Sequence, residues 1–561
     1  MLHRVSPIDA AVLGIEVNPY AAELACVTIW IGELQWMIEN GFGASKNPIL
    51  KPMDQIECRD AILNGDGTEP EWPTVDVIVG NPPFLGDRFH LRELGEEYTA
   101  RIRATYHRRV PGRADLVVYW FQKATDLLLA GKICRFGLVG TKSIAKGASR
   151  RPLDAIVQSG RALIDQAWTN EPWVNEGAAV RVAIVSATRD ATALIPLLNG
   201  QPVAGIAADL TEKQPYGALT DAQRIPENKA IAFQGVKLTG SFDVEDEVAR
   251  AFLVAQGNPN MHPNSDVIRR LLDIDDVVSR PSDRWVIDFG VDTPISVASG
   301  YVAPFEYVRE RVPSERSTIR ESRLREPYWL FQRPRPALRK AVKPLTRYIV
   351  TPESSEYRVF RWADRQMLHV GSVFAIARED DTTFGVLHSS LHEVWATAQG
   401  NRLGAGNQRR YNITVTLETF AFPNDLTPDI PAKVFESDPR AKRVATAAKQ
   451  LNELRENWLN PPELMDRVSE VVPGYSDRLV PKNETAAKEL KKRTLTNLYN
   501  ANPAWLQHAH RELDEAVAAA YGWGWPLTDE EILKRLFKLN QERAGRQQAG
   551  AKIANEDVLP Q

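Results

Sequence analysis

The chain is poor in cysteine and has no strong charge imbalance. Only three cysteines occur in 561 residues, at Cys26, Cys58 and Cys134, all in apolar segments. So few thiols exclude a disulfide framework and predict buried, free cysteines in a reducing cytoplasm. No run reaches the roughly 18 apolar residues of a membrane span, so no membrane partner is expected. The formal net charge of −3 excludes a general attraction to nucleic acid, so any such surface must be local.

Zinc-type spacing of cysteine and histidine is also missing, so no metal site is predicted. His388 and His392 are four residues apart, a spacing that could hold a metal on one helix face. Because two histidines alone rarely form such a site, we expect both to be packed or hydrogen-bonded inside a domain.

The most informative segment present is Val75–Phe84, in which an apolar, β-branched run ends in Asn81, Pro82, Pro83 and Phe84. The run predicts a buried parallel strand, and the prolines predict a rigid turn at its carboxyl end. Open α/β sheets keep their active sites at that end. The Asn81 side-chain oxygen and the Pro82 carbonyl can accept the hydrogens of an amino group, while Phe84 stacks on the flat ring that carries it.

This turn resembles the catalytic loop of S-adenosylmethionine-dependent amino-methyltransferases, above all the DNA N6-adenine class. The resemblance implies a Rossmann-like α/β domain and S-adenosylmethionine as the cofactor. It also implies that Asn81, Pro82, Pro83 and Phe84 are the catalytic residues, with Asn81 close to the cofactor as well. Hydrogen bonds to the target amine would favour its attack on the cofactor methyl group, so no catalytic cysteine is needed.

Three carboxylates follow the order of that family. Glu16 ends a short strand before a helix predicted from about Pro19 to Glu39, where Rossmann-type folds hold ribose hydroxyls. Asp60 ends the next strand, at the position where the family contacts the adenine amino group of the cofactor. Asp115 precedes a helix that runs through Leu129, at a position where the family keeps a carboxylate near cofactor or target. The resemblance therefore implies Glu16, Asp60, Asn81 and Asp115 as cofactor-binding residues.

The glycine-rich cofactor loop of the family is missing from its expected place. Met1–Ala10, which precedes the strand of Glu16, contains no glycine, and Gly404–Gly406 comes far too late. We expect an N-terminally shortened member without the first, central strand of the sheet. Such a chain should bind the cofactor poorly unless an N-terminal polypeptide supplies the loop; the same polypeptide could carry a nuclease.

The remaining pattern divides into further regions. Residues 1–195 are predicted to form the methyltransferase domain, 196–290 a bridging segment, 291–425 a mixed α+β target-recognition domain and 426–561 a helical C-terminal region. Residues 385–389, 391–395 and 417–423 look like the target-recognition region of large single-chain adenine methyltransferases. Those enzymes occur in type IIG and IIL restriction–modification systems and in related phage-defence systems.

Basic residues concentrate in the predicted recognition domain and are interleaved with aromatic residues. Because arginine and lysine position phosphates and read guanine edges, duplex DNA is the expected partner. The candidate contacts are Arg333, Arg335, Arg339, Lys340, Arg409 and Arg410.

The sequence thus predicts site-specific transfer of a methyl group to the N6 amino group of adenine in duplex DNA, within a restriction–modification or phage-defence system. Two alternatives remain open. One is a catalytically impaired DNA-binding fragment or split subunit, because the cofactor loop is missing. The other is a protein-glutamine N-methyltransferase, which shares the Asn-Pro-Pro-aromatic loop but does not need a long basic and aromatic extension.

Overall fold

The computed structural model of the chain describes residues 12–41, 55–175, 178–190, 194–213, 219–317, 327–402 and 409–556. The glycine-free segment Met1–Ala10 and the glycines of 404–406 lie outside these residues. The chain divides into two compact units, Met1–Ala218 and Leu219–Gln561.

The described part of the first unit contains eight strands and five α-helices. The strands are β1 (Gly14–Glu16), β2 (Ile56–Cys58), β3 (Val77–Gly80), β4 (Arg135–Thr141), β5 (Leu163–Asn175), β6 (Ala178–Thr188), β7 (Leu197–Leu198) and β8 (Gln201–Pro202). The helices are α1 (Pro19–Glu39), α2 (His90–Glu93), α3 (Glu96–Thr105), α4 (Val118–Ala130) and α5 (Arg151–Ser159).

These strands form a six-stranded sheet, in the order β3-β4-β6-β5-β7-β8, and a separate parallel pair, β1-β2. Strand β3 runs parallel to β4, and β5 and β6 form an antiparallel hairpin. Strand β4 buries alternate residues, including Phe136 and Leu138, as its period of two requires. Helix α4 packs against β4 and ends at Gly131 in the left-handed region. The Rossmann-like arrangement of alternating parallel strands and helices is therefore present.

The sequence predicts that the strand within Val75–Phe84 is buried, but the corresponding strand β3 is partly exposed in the structure. Within the described residues, β3 is bonded only to β4, and β1 only to β2. Val77 and Val79 of β3 are 49% and 80% exposed. The prediction that this apolar strand is buried is wrong for the described residues, because Val77 and Val79 share a face of β3 that they leave uncovered, whereas Ile78 on the opposite face packs against the core.

Helix α1 begins and ends where the sequence predicts, since Asn18 caps its first turn and Pro19 occupies a first-turn position. It has one buried residue, Ala22. It is also the one described helix that is long and apolar enough to cross a membrane by length and composition. The expectation that no segment reaches that limit is therefore wrong, although one such helix is weak evidence of a span.

The described part of the second unit contains thirteen strands and thirteen α-helices. The strands are β9 (Ala232–Gln234), β10 (Asp243–Val244), β11 (Ile268–Leu272), β12 (Trp285–Ile287), β13 (Arg347–Pro352), β14 (Ser354–Ser355), β15 (Arg361–Asp364), β16 (Leu368–His369), β17 (Val373–Ile376), β18 (Asn401–Arg402), β19 (Arg409–Arg410), β20 (Met465–Val468) and β21 (Arg478–Pro481). The helices are α6 (Asp246–Val254), α7 (Ile274–Val278), α8 (Ile295–Ala298), α9 (Val302–Arg316), α10 (Pro336–Val342), α11 (Asp381–His388), α12 (Ser390–Gln399), α13 (Ala432–Phe435), α14 (Pro439–Leu459), α15 (Glu484–Leu490), α16 (Leu495–Ala501), α17 (Ala504–Ala520) and α18 (Asp529–Glu556).

Two four-stranded sheets form the centre of the second unit, in the orders β10-β12-β11-β16 and β15-β13-β17-β9. Strand β9 pairs with β17, and β11 pairs with β16. Residues 232–287 therefore share sheets with residues beyond 346, whereas β7 and β8 belong to the first unit. The structure thus distributes the predicted bridging segment between the two units, because its strands find partners in each.

Within residues 426–561 the described part contains helices α13–α18 and the antiparallel hairpin of β20 and β21. Helix α14 packs against α11 and α17, and it begins at Pro439 after the cap Asp438. Thr528 and Glu531 form reciprocal hydrogen bonds at the start of α18, and this helix continues to Glu556. The prediction of buried thiols is wrong for Cys58 and Cys134, which are exposed, while Cys26 is half-buried.

Candidate functional site

The Asn81–Phe84 turn lies directly after β3, at the carboxyl end of the parallel pair β3-β4. Asn81 is exposed, whereas the ring of Phe84 is half-buried against the core of the first unit. Behind the turn, the Nε2 atom of the buried His90 lies 3.1 Å from the Leu85 carbonyl oxygen. The chain that follows the turn is therefore anchored, and the Asn81 amide remains accessible to a ligand.

Asp115 is held beside this turn by two separate sets of contacts. The Leu116 amide donates to the Leu85 carbonyl at 2.9 Å, which joins the segment of Asp115 to the residue after Phe84. The Asp115 Oδ2 atom accepts from the hydroxyls of Thr141, at 2.9 Å, and Ser143. A Cβ atom on Gly86 would lie 3.7 Å from Asp115 Oδ1, so this second oxygen faces the segment that follows the turn. Asn81 and Asp115 are thus brought to one end of the sheet.

Sequence analysis did not assign Thr141 and Ser143 to the site. Both belong to the segment in which β4 ends, level with the turn after β3. Their hydroxyls satisfy one oxygen of Asp115 and fix the direction of the other. The sequence feature that could have identified them is a pair of hydroxyl residues at the carboxyl end of the next strand, which runs parallel to the strand that precedes Asn81.

Glu16 and Asp60 occur together at the carboxyl end of the parallel pair β1-β2, as the family order implies. Glu16 is half-buried, and its Oε1 atom accepts from the Asn18 amide at 2.8 Å. Asp60 accepts from the Ile62 and Leu63 amides at 2.8 and 3.1 Å, and from the Tyr98 hydroxyl at 2.7 Å. These bonds fix the Asp60 carboxylate in one orientation.

Tyr98 of α3 is a further residue that the sequence analysis missed. Burial raises the pKa of Tyr98 above its usual value, and its hydrogen bond to the Asp60 carboxylate raises it further. The hydroxyl therefore stays protonated at neutral pH and keeps donating to Asp60. Within the described residues, two separate sheets carry the predicted site residues. Glu16 and Asp60 follow the strands of the pair β1-β2, whereas Asn81 follows a strand of the six-stranded sheet and Asp115 lies beside that sheet.

Four of the six predicted DNA contacts have partners inside the second unit. Arg339 forms a two-pronged ion pair with the buried Asp288, at 2.6 and 2.8 Å. Arg335 donates to the Gly235 carbonyl at 3.0 Å and to Gln234 at 2.5 Å.

The other two engaged arginines are Arg409 and Arg410. Arg409 bonds Glu393 and Thr397 at 3.2 and 2.9 Å, and Arg410 bonds Glu353 at 2.8 Å. For all four arginines, including Arg335 and Arg339, this geometry favours a structural role over the predicted DNA contact. Arg333 and Lys340, the remaining two, are exposed.

The two histidines at metal-like spacing are confirmed as packed residues. His392 lies 2.9 Å from the Leu387 carbonyl through Nδ1 and 3.1 Å from the Tyr411 hydroxyl through Nε2. His388 accepts from the Phe360 amide at 3.2 Å and from the guanidinium of Arg455. Burial lowers the pKa of both histidines, to about 3 for His392. Both rings are therefore neutral parts of the core.

Three family models match the chain in the order in which its regions occur. Residues 7–195 match the MmeI DNA-methyltransferase domain, 261–424 the MmeI target recognition domain and 483–546 the MmeI C-terminal domain. The first two ranges contain Asn81 and the basic region, respectively. No curated protein matches the chain.

The chain is also similar to a solved structure of the type IIL restriction–modification enzyme MmeI in complex with DNA. The TM-score is 0.63 at 22% identity, over 95% of this chain and 66% of MmeI, so the likeness is one of fold. The type IIG restriction endonuclease BpuSI is matched at a TM-score of 0.26 and 10% identity, over 92% of this chain and 64% of that chain. This chain spans slightly less than two thirds of the length of MmeI.

The fold, the Asn81–Phe84 turn and the three domain matches agree with one another. The chain therefore belongs to the MmeI family, with a DNA-methyltransferase domain, a target recognition domain and a C-terminal domain in that order.

Proposed function

We propose that the chain transfers a methyl group from S-adenosylmethionine to the N6 amino group of adenine in duplex DNA, as part of a restriction–modification or phage-defence system. The observation that carries the proposal is the exposed Asn81 after β3, with the Asp115 carboxylate held beside it. The matches to MmeI methyltransferase and recognition domains support it. Because α1 lies within the matched methyltransferase range, we assign it to that domain and propose a cytoplasmic location without a membrane partner.

The residues present fit part of the cofactor. Glu16 and Asp60 lie at adjacent strand ends, where a ribose and an adenine amino group would find oriented carboxylates. Within the described residues, the segments that directly follow β1 and β3 contain no glycine-rich turn that would let the backbone approach the methionine portion. S-adenosylmethionine, when bound, supplies an electrophilic methyl group. Glu16, Asp60, Asn81 and Asp115 are the residues we propose to hold it.

The contribution of the turn to the reaction follows from hydrogen bonding. An adenine extruded from the duplex would stack on Phe84, and its amino group would donate to the Asn81 Oδ1 atom and the Pro82 carbonyl. These bonds increase the electron density available on the nitrogen. Asn81 and the Pro82 carbonyl would hold the amino nitrogen toward the methyl group that bound S-adenosylmethionine would supply, and the proton released from the nitrogen would pass to solvent water. Asp115 Oδ1, which lies near Gly86 in the segment after the turn, would be the free oxygen of that carboxylate for a hydrogen bond from the bound ligands.

Identification of the methylated product tests this proposal. The chain is incubated with S-adenosylmethionine carrying a labelled methyl group and with duplex DNA of mixed sequence, and the DNA is digested to nucleosides. We expect label in N6-methyldeoxyadenosine. Label in another nucleoside would reject the adenine assignment, and label in a glutamine side chain of added protein would support the glutamine methyltransferase instead.

A second candidate function follows from the edges of β1 and β3 that have no partner strand within the described residues. Unpaired strand edges accept further strands, and Val77 and Val79 leave an apolar surface beside the β3 edge. We infer that a strand from an N-terminal polypeptide, in cis or as a separate chain, pairs there and completes cofactor binding. Without it, the chain would act as a DNA-binding subunit.

Calorimetry separates this candidate from the first. S-adenosylmethionine is titrated into the chain alone and into the chain joined to, or mixed with, the polypeptide encoded immediately upstream. We expect weak binding in the first titration and tight binding in the second. Equal, tight binding by the chain alone would show that no added strand is needed.

A further inference from the structure

A cavity of about 460 Å³ opens in the second unit, and none of the residues discussed for methyl transfer lines it. Helix α10 and the residue after it form one wall, and the ends of β11 and β16 form another. Leu338, Val342 and Met367 provide apolar surface, while Arg269, Lys343 and Arg365 provide three positive charges. Of the six residues that the sequence predicts to contact DNA, Arg339 lines this cavity and the other five do not.

The three cations of this cavity lack acidic partners within the described residues. Arg269 is half-buried and donates only to the Asp266 backbone carbonyl, at 3.3 Å. Lys343 and Arg365 are exposed. The four engaged arginines of the basic region, by contrast, are satisfied by carboxylates, a carbonyl and polar side chains of the chain itself. The charges of Arg269, Lys343 and Arg365 therefore remain available for a ligand.

The other ionisable groups of the wall do not cancel this charge. Asp288 is the carboxylate among the lining residues, and both of its oxygens are bound by Arg339. His369 lies beside the Tyr348 hydroxyl, and burial lowers the pKa of His369 to about 3, so the ring is neutral. The cavity therefore keeps a positive field over the whole neutral pH range.

We propose that this cavity binds phosphodiester groups of duplex DNA and positions the recognition domain on the backbone. The proposal rests on the proposed DNA-directed function. Two of the three cations are exposed at the rim, which suits a long anion that passes over the cavity better than a small anion enclosed by it. Contacts of this kind fix the register of a protein on DNA without reading the sequence. They also replace the contacts predicted for Arg335, Arg339, Arg409 and Arg410.

The test is the salt dependence of DNA binding by the full chain. The triple variant Arg269→Gln, Lys343→Gln and Arg365→Gln removes the three unpaired charges. Binding of a fluorescent duplex is measured by anisotropy over a range of salt concentrations. The slope of log K against log salt concentration should become shallower by about 0.9 for each phosphate that the variant no longer neutralises. The matched control is Lys442→Gln, Arg443→Gln and Lys488→Gln, which removes the same charge from exposed helical positions and should leave the slope unchanged.

Each outcome decides the proposal. A triple variant with the wild-type slope, or a control that lowers the slope equally, would overturn it. If free adenosine nucleotides displace the fluorescent duplex and added duplex DNA does not reverse the displacement, the cavity is a nucleotide site instead. Circular dichroism shows whether the triple variant folds. If it does not, the single variants Lys343→Gln and Arg365→Gln, at exposed positions, provide the same test, and each should make the salt slope shallower by about 0.9. Absence of DNA binding by the wild-type chain would instead reject the proposed function, and this inference with it.

Discussion

The ion pair between Arg339 and Asp288 gives the sharpest prediction about stability. Asp288 is 5% exposed, and its carboxylate accepts two hydrogen bonds from Arg339 and one from the Gly290 amide at 3.1 Å. Arg339→Gln would leave a buried carboxylate with one strong partner. Removing one member of a buried pair costs about 3–5 kcal/mol. We therefore expect a large loss of stability in the second unit, independent of DNA.

Urea unfolding followed by tryptophan fluorescence measures this effect, because Trp285 is buried in β12, close in sequence to Asp288. Arg309→Gln is the matched control, since Arg309 forms an exposed pair with Glu306 that should contribute less than about 1 kcal/mol. Adding Asp288→Asn to Arg339→Gln should recover much of the missing stability. The reasoning is refuted if Arg339→Gln unfolds like the wild type while its DNA affinity falls, because Arg339 would then be the DNA contact that the sequence predicted.

Two further predictions concern the second unit. Burial raises the pKa of Asp514 to about 6, from 3.8, so its contribution to stability is complete below pH 3.8 and is lost as the pH rises through about 6. Asp514→Asn should flatten the dependence of the urea midpoint on pH across that window, and an unchanged dependence would reject the assignment. Gly235→Ala should destabilise the unit strongly, because the added Cβ would overlap the backbone carbonyls of His369 and Val370. Gly371→Ala, whose Cβ would lie 3.6 Å from its nearest neighbour, is the control, and equal melting of the two variants would contradict this account.

Elements with strong local signals were predictable from the sequence. Helix α1 has its cap and its first-turn proline at Asn18 and Pro19. The turn at Asn81 lies at the end of a parallel strand, as the Val75–Phe84 pattern indicates. In each case the information is contained within about ten consecutive residues.

Features that depend on distant partners were not predictable. The arginines of the basic region have the same local pattern whether they meet DNA or the chain itself, and only the fold places Asp288 opposite Arg339 and Glu353 opposite Arg410. The exposure of Val79 likewise depends on whether a distant segment covers its face of β3. The hydroxyls of Thr141 and Ser143 become meaningful only once Asp115 is found beside them.

The central claim is that the Asn81 turn performs methyl transfer to DNA, and single-turnover methylation with Asn81→Ala tests it most directly. The variant loses an acceptor for the target amine, so the rate should fall by about 10²–10³, with DNA affinity retained. Asn170→Ala, which removes another exposed amide of the same unit, should methylate at the wild-type rate. Transfer to adenine that is undiminished in Asn81→Ala would contradict the account, as would no transfer to DNA by the wild type with or without the upstream polypeptide.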